Sequence, residues 1–179
     1  GHEVVSVDNY STGKKENHQE GCRYWDFDLS ESRNAVLERN EYDIIYHIGA
    51  LARIQPSIKE PLIHIKNNFV STLNVLEQAR LSNIPVVYAG SSSLHHGLYT
   101  SPYAWSKWSG EELCKLYSTV YDLNTSICRF YNVYGPHQIE DGTYATVLGI
   151  FEKQYREGKP LTITADGHQR RDFTHVGDI

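Results

Sequence analysis

The chain of 179 residues lacks several features that would point to particular classes of function. Its net charge at pH 7 is −5, so it has no excess of positive charge for binding nucleic acid or an anionic membrane surface. No apolar run reaches the roughly 18 residues that a membrane-spanning helix needs. We therefore expect partners other than nucleic acid or a membrane.

Cysteine is also scarce. Cys22, Cys114 and Cys128 are odd in number and widely spaced, without the close pairs that bind structural metals. We expect buried free thiols in a reducing compartment, which favours a cytoplasmic protein and predicts no metal site. A catalytic cysteine is the alternative, but no neighbouring residue supports it.

What the chain does contain is an alternation of apolar strands and amphipathic helices. Strands are predicted at 3–7, 23–27, 43–47, 84–89, 124–131 and 161–164, and helices at 31–40, 62–81, 102–122 and 144–156. Segments 48–61 and 90–101 are predicted to be loops. Because the strands are short apolar runs separated by helices, the pattern predicts an α/β fold with a doubly wound, Rossmann-like parallel sheet.

Polar residues follow most of the predicted strands. They are Asp8, Asp28, His47, Ser91 and Asn132. Ligands of doubly wound sheets bind beyond the carboxyl ends of the strands, so we expect these side chains to face one crevice. Asp8 could accept hydrogen bonds from an adenosine ribose, which favours NAD over NADP. The alternative is ordinary turn chemistry at Asp8 and Asn9.

Tyr103 and Lys107 are four residues apart in a predicted helix that begins at Pro102 and is capped by Ser101. Residues at this spacing share one helix face. An ammonium beside a phenol stabilises the phenolate, which can then remove a proton from a sugar hydroxyl. The alternative is an unrelated Tyr and Lys on a helix surface, but the preceding serines, Ser91 to Ser93, favour a reactive site.

Eight segments, in the same order, resemble motifs of the extended short-chain dehydrogenase/reductases, and among these the NAD-dependent nucleotide-sugar epimerases and dehydratases. The segments are 7–13, 28–29, 47–51, 67–76, 87–92, 101–107, 129–136 and 170–176. They are spread in order along nearly the whole chain, which makes the resemblance highly specific.

The resemblance implies a bound NAD, a nucleotide-sugar substrate and a set of site residues. Contacts with NAD are implied for Asp8, Asn9, Ser11, Thr12, Gly13, Asp28, Leu29, Ile48, Gly49, Ala50, Leu51, Asn68, Tyr103, Lys107 and Tyr131. Contacts with the substrate are implied for Ser91, Ser92, Tyr103, Asn132 and Arg171. Catalysis is assigned to Ser91, Tyr103 and Lys107. Counting from the strand favours Ser91 over Ser92 as the working hydroxyl, and the choice stays open.

Two family features are missing from this sequence. The glycine-rich turn GxxGxxG, which would precede Gly1, is absent, and the chain stops at Ile179, before most of the family's substrate domain. We therefore expect a fragment whose fold is incomplete at both ends. The expected organisation is one NAD-binding domain over 1–179 without its first βα unit, with the start of a substrate-binding part near 135–179. Weak or no NAD affinity is expected for this piece alone.

Three functions compete. The resemblance favours an epimerase, with 4-epimerisation of a UDP-hexose as the commonest activity, and it implies a homodimer formed by the helices at 62–81 and 102–122. A dehydratase or decarboxylase is the alternative, but dehydratases carry an Asp-Glu pair where this chain has Ser92 and Ser93. A catalytically silent NAD-binding regulator is the third possibility, and the intact Tyr103 and Lys107 argue against it.

Overall fold

The structure is a computed structural model that describes residues 1–31 and 42–179. The helix predicted at 31–40 therefore lies outside the described residues, except for Glu31. The chain divides into two compact units, Gly1–Arg129 and Phe130–Ile179. The predicted domain organisation, with a substrate-binding part starting near 135, stays a prediction.

The first unit contains two parallel arrangements of strands. Its strands are β1 (Val4–Asp8), β2 (Cys22–Asp26), β3 (Ile45–His47), β4 (Val86–Ser91) and β5 (Thr125–Phe130). β1 pairs with β2 in parallel, with Val4 opposite Cys22 and Asp8 opposite Asp26. The other sheet has the order β3-β4-β5, and β3 runs parallel to β4. The α/β fold with parallel strands is thus confirmed.

The helical region before β4 differs from its prediction. It consists of α1 (Ile54–Lys59), α2 (Pro61–Ile65), a π-helical turn (Lys66–Val70) and α3 (Ser71–Ser82). The predicted loop therefore contains a helix, because Pro56 lies in the first turn of α1, where its missing N–H costs no helical hydrogen bond. The single helix predicted at 62–81 is interrupted by the π-helical turn, a feature that hydrophobic spacing does not reveal.

Helix α4 (Pro102–Tyr121) forms as predicted. The Ser101 hydroxyl accepts a hydrogen bond from the backbone N–H of Ala104 at 3.1 Å, and Pro102 occupies the first turn. The helix ends at Asp122, which adopts a left-handed conformation with φ 56°. These local signals fix where the helix starts, and so where Tyr103 and Lys107 lie along it.

The core of the first unit lies between the β3-β4-β5 sheet and helices α3 and α4. Its buried residues are Leu76, Ala79, Val86, Tyr88, Cys114, Tyr117 and Leu123. Of the three free cysteines, Cys114 is buried, Cys22 is half-buried and Cys128 is exposed, so the expectation of buried thiols was wrong for Cys128. Side chains alternate along a strand, and the neighbouring Ile127 packs against the core, so Cys128 points to the opposite, exposed face of β5.

The second unit is built from short elements. β6 (Val133–Tyr134) pairs in parallel with β7 (Thr174–His175), and α5 (Val147–Arg156) is capped by the Thr146 hydroxyl. The strand predicted at 161–164 does not form: Leu161 and Ile163 are 52% and 75% exposed. A short apolar run becomes a strand only where a neighbouring strand pairs with it. None of the helices within the described ranges is long and apolar enough to cross a bilayer.

Candidate active site

Tyr103 and Lys107 lie one turn apart near the start of α4. The backbone N–H of Tyr103 donates to the Ser57 hydroxyl at 3.2 Å, which ties the first turn of α4 to α1. The Tyr103 side chain is half-buried, whereas Lys107 is only 5% exposed. The structure thus ties the backbone of Tyr103 to α1 and gives the two side chains different access to solvent.

The Lys107 ammonium is held by an aromatic ring. Its Nζ lies 4.4 Å from the ring centroid of Tyr88, which comes from β4. Burial lowers the pKa of Lys107 to about 8, and the Glu111 carboxylate one turn further along α4 opposes that shift. Lys107 is therefore a buried cation whose charge is supported by an aromatic face and by a nearby carboxylate.

His47 packs against Tyr88, the residue whose ring also contacts Lys107. It is 4% exposed, its Nε2 lies 2.9 Å from the Thr72 hydroxyl, and its ring centroid is 5.7 Å from that of Tyr88. The expectation that His47 faces the ligand crevice was therefore wrong, because its side chain points into the core between β3 and α3. Burial, with a smaller effect from the Lys107 charge, lowers the pKa of His47 to about 3.

This buried histidine predicts an acid-dependent loss of stability. The unfolded chain binds a proton on His47 near pH 6.5, but the folded chain does so only near pH 3. Stability is therefore lost as the pH falls through this window, by up to about 1.4 kcal/mol per pH unit. Between pH 7 and pH 5, the unfolding free energy of the whole protein should fall. We expect this fall to be about 2 kcal/mol smaller in His47→Gln than in the unaltered protein.

Chemical denaturation of the whole protein at several pH values measures this difference. His96→Gln is the matched control, since His96 is exposed, and it should leave the slope of stability against pH unchanged. Equal slopes for His47→Gln and the unaltered protein would show that folding does not lower the pKa of His47.

Asn68 lies in the π-helical turn and is 2% exposed. Its Oδ1 accepts from the backbone N–H of Leu51 at 2.8 Å, and its Nδ2 donates to the Leu51 carbonyl at 3.0 Å and to the Ser106 hydroxyl at 3.0 Å. Both amide hydrogens are thus used within the protein. Asn68 joins the segment after β3 to α4, and its contact with NAD stays a prediction.

The residues proposed for the adenosine end also meet in the first unit. Asp8 ends β1, and its Oδ1 accepts from the backbone N–H of Tyr10 at 2.7 Å. A Cβ added to Gly13 would lie 3.1 Å from the other carboxylate oxygen of Asp8. Asn9 donates to Asp28 at 3.1 Å, which joins the end of β1 to the segment after β2. The Asp8 carboxylate is exposed beside a residue without a side chain.

The segment after β2 is rigidly hydrogen-bonded. Partial burial works to raise the pKa of Asp28, but hydrogen bonds from Ser30 and Asn9 outweigh it and hold the pKa below its usual value. The Leu29 carbonyl accepts from Asn74 of α3 at 2.8 Å. A Cβ added to Gly49 would lie 4.0 Å from Leu29 Cδ1, so the segments at 28–29 and 48–51 are neighbours.

The remaining residues proposed for NAD differ in exposure. Ser11, Ile48 and Gly49 are exposed, Thr12 and Ala50 are half-buried, and Leu51 is buried. Leu51 is fixed through both of its backbone groups by Asn68, whereas the Ile48 side chain is 63% exposed. A series of neighbouring segments therefore connects the proposed adenosine end to the helix that carries Tyr103 and Lys107. It runs from Asn9 through Asp28 and Leu29 to Leu51 and α4.

The serines at the end of β4 have distinct surroundings. Ser91 is 8% exposed; its hydroxyl donates to the Ser93 hydroxyl at 2.9 Å and accepts from the Ser93 backbone N–H at 3.2 Å. It thereby caps the short 3₁₀ helix Ser92–His96. Ser92 is half-buried, and its hydroxyl has no hydrogen bond to other residues within 1–31 and 42–179. Ser92 is therefore the serine whose hydroxyl is uncommitted.

Three of the proposed residues belong to the second unit. Tyr131 is half-buried, and Asn132 adopts a positive φ of 34° and donates through its side chain to the Asp172 carbonyl at 2.7 Å. Arg171 is exposed and donates to the Arg170 carbonyl at 2.8 Å. A contact within the second unit thus holds Asn132. The roles of Tyr131, Asn132 and Arg171 toward substrate and NAD stay predictions.

Sequence reasoning missed the residues that support Lys107 and α4. Tyr88 is hidden in an apolar strand, and Glu111 forms an ion pair with Arg129 at 2.7 Å although its side chain is only 1% exposed. One signal was available: Gly110 lies in the middle of a long helix, where glycine is unfavourable and therefore marks a close approach. No cluster of metal-binding side chains occurs among the residues that the structure describes.

The chain is similar in sequence to known proteins. The UDP-glucose 4-epimerase of Mycolicibacterium smegmatis is 30% identical over 199 residues, which cover 100% of this chain and 63% of that protein. The UDP-N-acetyl-alpha-D-glucosaminuronate decarboxylase of Bacillus cytotoxicus is 29% identical, with 99% of this chain and 61% of that protein covered. The chain thus spans somewhat less than two thirds of these relatives.

Among solved structures, the UDP-glucose 4-epimerase of Thermotoga maritima with UDP-glucose superposes with a TM-score of 0.88 at 25% identity, covering 99% of this chain and 63% of that one. The similarity extends over both units of the chain, and the family profile described as "NAD dependent epimerase/dehydratase family" matches residues 1–179. The match includes the residues around Tyr103 and Lys107. The chain belongs to the NAD dependent epimerase/dehydratase family.

Proposed function

We propose that the whole protein is a nucleotide-sugar epimerase that uses bound NAD and acts on a UDP-hexose. The observation that carries this proposal is the pair of Tyr103 and Lys107, one turn apart on α4, with the lysine buried against Tyr88. A buried lysine without a chemical task is costly, since desolvation disfavours its charge. The family match and the epimerases among its relatives support the same activity.

The first unit offers surroundings that fit NAD. Asp8 presents an exposed carboxylate at the end of a parallel strand, where an adenosine ribose can donate its hydroxyl protons, and Gly13 leaves space beside it. The negative charge of Asp8 disfavours a ribose phosphate, which supports NAD over NADP. Lys107 would hold the second ribose. When bound, NAD supplies a reversible acceptor for the hydride of a sugar carbon.

Within this proposal, the chain itself handles the proton. Tyr103 takes a proton from the sugar hydroxyl whose carbon loses the hydride, and it returns the proton when the hydride comes back to the opposite face of the sugar. The Lys107 ammonium favours the phenolate that this exchange needs. The uncommitted hydroxyl of Ser92 donates to the reacting oxygen, while Ser91 holds the turn in which Ser92 lies.

A decarboxylase is the second candidate, because a UDP-sugar decarboxylase is similar to this chain at 29% identity. Elimination of water, as in a dehydratase, needs an added acid–base pair beside the working hydroxyl. Ser92 and Ser93 occupy that place, and neither can act as a carboxylic acid. Ser92 and Ser93 therefore support epimerisation over dehydration. They do not distinguish epimerisation from decarboxylation.

The product identifies the reaction. The whole protein should be incubated with NAD and, separately, with UDP-glucose, UDP-N-acetylglucosamine and UDP-glucuronate, and the products followed by proton NMR. Inversion at C4 with the carbon count unchanged is expected. Loss of carbon dioxide from UDP-glucuronate, or a 4-keto-6-deoxy product from UDP-glucose, would replace the epimerase proposal by decarboxylation or dehydration.

The two serines at the end of β4 can be separated by mutation. Ser92→Ala should lower kcat by about 10- to 100-fold, because it removes a hydrogen bond that strengthens as charge develops on the reacting oxygen. Ser91→Ala should lower the unfolding free energy by about 1 kcal/mol, because it removes a helix cap. Kinetics and thermal denaturation of both variants measure the two effects, and the reverse assignment of the kcat loss would make Ser91 the working hydroxyl.

We also propose that the whole protein is a cytoplasmic homodimer. The helices of the first unit carry several exposed apolar side chains, namely Leu62, Ile63, Leu81, Leu116, Val120 and Tyr121. Apolar surface of this kind on neighbouring helices favours a helix-to-helix contact between two copies. Sedimentation equilibrium of the whole protein should give twice the chain mass, and Val120→Asp should shift the protein to the monomer. A monomer at all concentrations would contradict the dimer.

A further inference from the structure

We infer that Tyr88 is a positioning residue for Lys107: its ring, which reaches α4 only because residue 110 is glycine, fixes the ammonium where the reaction needs it. The catalytic consequence of this inference rests on the proposed function. The placement of Lys107 by Tyr88 does not, since it concerns contacts inside the first unit.

Tyr88 contacts both the side-chain ammonium and the backbone carbonyl of Lys107. The ring face of Tyr88 lies 4.4 Å from Lys107 Nζ, and the Tyr88 hydroxyl donates to the backbone carbonyl of Lys107 at 3.2 Å. Tyr88 itself is 1% exposed and forms part of the core. One rigid side chain from β4 therefore sets both the distance of α4 from the sheet and the position of the ammonium.

Gly110 makes this approach possible. A Cβ at position 110 would lie 2.1 Å from the Tyr88 hydroxyl oxygen and 2.5 Å from Cζ of the ring, distances that no packed structure tolerates. Glycine in a helix interior is unfavourable relative to alanine, so its presence here calls for a specific reason. The reason is the space that the Tyr88 ring occupies beside Lys107.

An aromatic face suits this lysine better than a carboxylate partner would. A ring attracts the ammonium through its quadrupole and leaves the N–H groups free, whereas a carboxylate accepts hydrogen bonds from them. The titratable groups around Lys107 are His47 from β3, Tyr88 from β4, and Tyr103, Glu111 and Cys114 from α4. Glu111 is engaged by Arg129, and His47 is neutral at ordinary pH, so the N–H groups of Lys107 remain available for a ribose hydroxyl.

The test compares Tyr88→Leu with Tyr88→Phe in the whole protein. Selective ¹³C labelling of lysine followed by NMR reports on Lys107, whose signal is assigned by its loss in Lys107→Gln. In the unaltered protein the Cε protons of Lys107 should be shifted upfield by the Tyr88 ring. Tyr88→Phe should keep most of this shift, and Tyr88→Leu should abolish it.

The same variants should differ in titration and in catalysis. In Tyr88→Leu we expect the pKa of Lys107 to fall by about half a unit to one unit and kcat to fall by about tenfold, since the attraction of the ring for the charge is lost. Tyr88→Phe should restore most of both. Tyr155→Leu, at an exposed tyrosine of α5, is the control for the substitution itself and should change neither quantity.

The inference can be tested even if Tyr88→Leu does not fold. If Tyr88→Leu does not fold, the double variant Tyr88→Leu/Gly110→Ala places a methyl group in part of the vacated space, and Gly110→Ala alone should push the ring away from α4 and weaken the upfield shift. A Lys107 signal with unchanged shift and pKa in the folded Leu variant would overturn the inference. Absence of epimerisation by the unaltered protein would instead overturn the proposed function, and the NMR comparison would still stand.

Discussion

Tyr103→Phe should lower kcat by about 10²- to 10⁴-fold while leaving the fold intact, because it removes only the hydroxyl that carries the proton. The backbone of Tyr103 is held by Ser57, and this contact does not involve the side chain. We therefore expect the melting temperature and the affinity for a UDP-sugar to change little. Steady-state kinetics with the epimerisation product as readout measures the loss in the whole protein.

Tyr99→Phe provides the matched control for this experiment. Tyr99 lies four residues earlier, just before α4, and its side chain is 87% exposed. Removing its hydroxyl should leave kcat unchanged. A Tyr103→Phe variant with more than a tenth of the original kcat would mean that another group carries the proton, and the assignment of Tyr103 would be abandoned.

Arg129→Met should cause the largest loss of stability, about 3–5 kcal/mol in unfolding free energy. Arg129 donates to both carboxylate oxygens of Glu111, at 3.1 Å and 3.2 Å from Nε and at 2.7 Å from Nη2. The Glu111 side chain is 1% exposed, so the substitution leaves a buried carboxylate without its main partner. Denaturation by urea, compared with the unaltered protein, measures the loss.

Lys115→Met tests the same kind of change at the surface of the same helix. Lys115 pairs with Glu112 at 2.7 Å, but the two side chains are 57% and 43% exposed. Exposed pairs contribute about 1 kcal/mol or less, so this variant should be nearly as stable as the unaltered protein. Equal losses in the two variants would show that burial of Glu111 is unimportant to the energy of its pair.

Local chemistry determined much of the fold in advance. The cap at Ser101 and the proline after it predicted the start of α4 to the residue, because both act through backbone groups of the first turn. Apolar runs predicted β1 to β5 within about two residues at their ends, since a short apolar run between turn residues is a local signal for a strand. The spacing of Tyr103 and Lys107 follows from the same helix.

Contacts between distant segments could not be predicted in this way. The π-helical turn at Lys66–Val70, the core position of His47 and the failure of 161–164 to form a strand all depend on what packs against each segment. The choice between Ser91 and Ser92 as the working hydroxyl stays a prediction, and the hydrogen bonds that engage the Ser91 hydroxyl are visible only in three dimensions.

The sequence by itself determined that an ammonium and a phenol share one helix face, because helical periodicity is a property of the backbone. Only the tertiary structure decided how that ammonium is held. Tyr88 and Lys107 are 19 residues apart and belong to a strand and a helix, so their meeting depends on how β4 packs against α4. Packing across elements is set by the shapes of many side chains at once, and glycine at position 110 leaves the space that the Tyr88 ring occupies here.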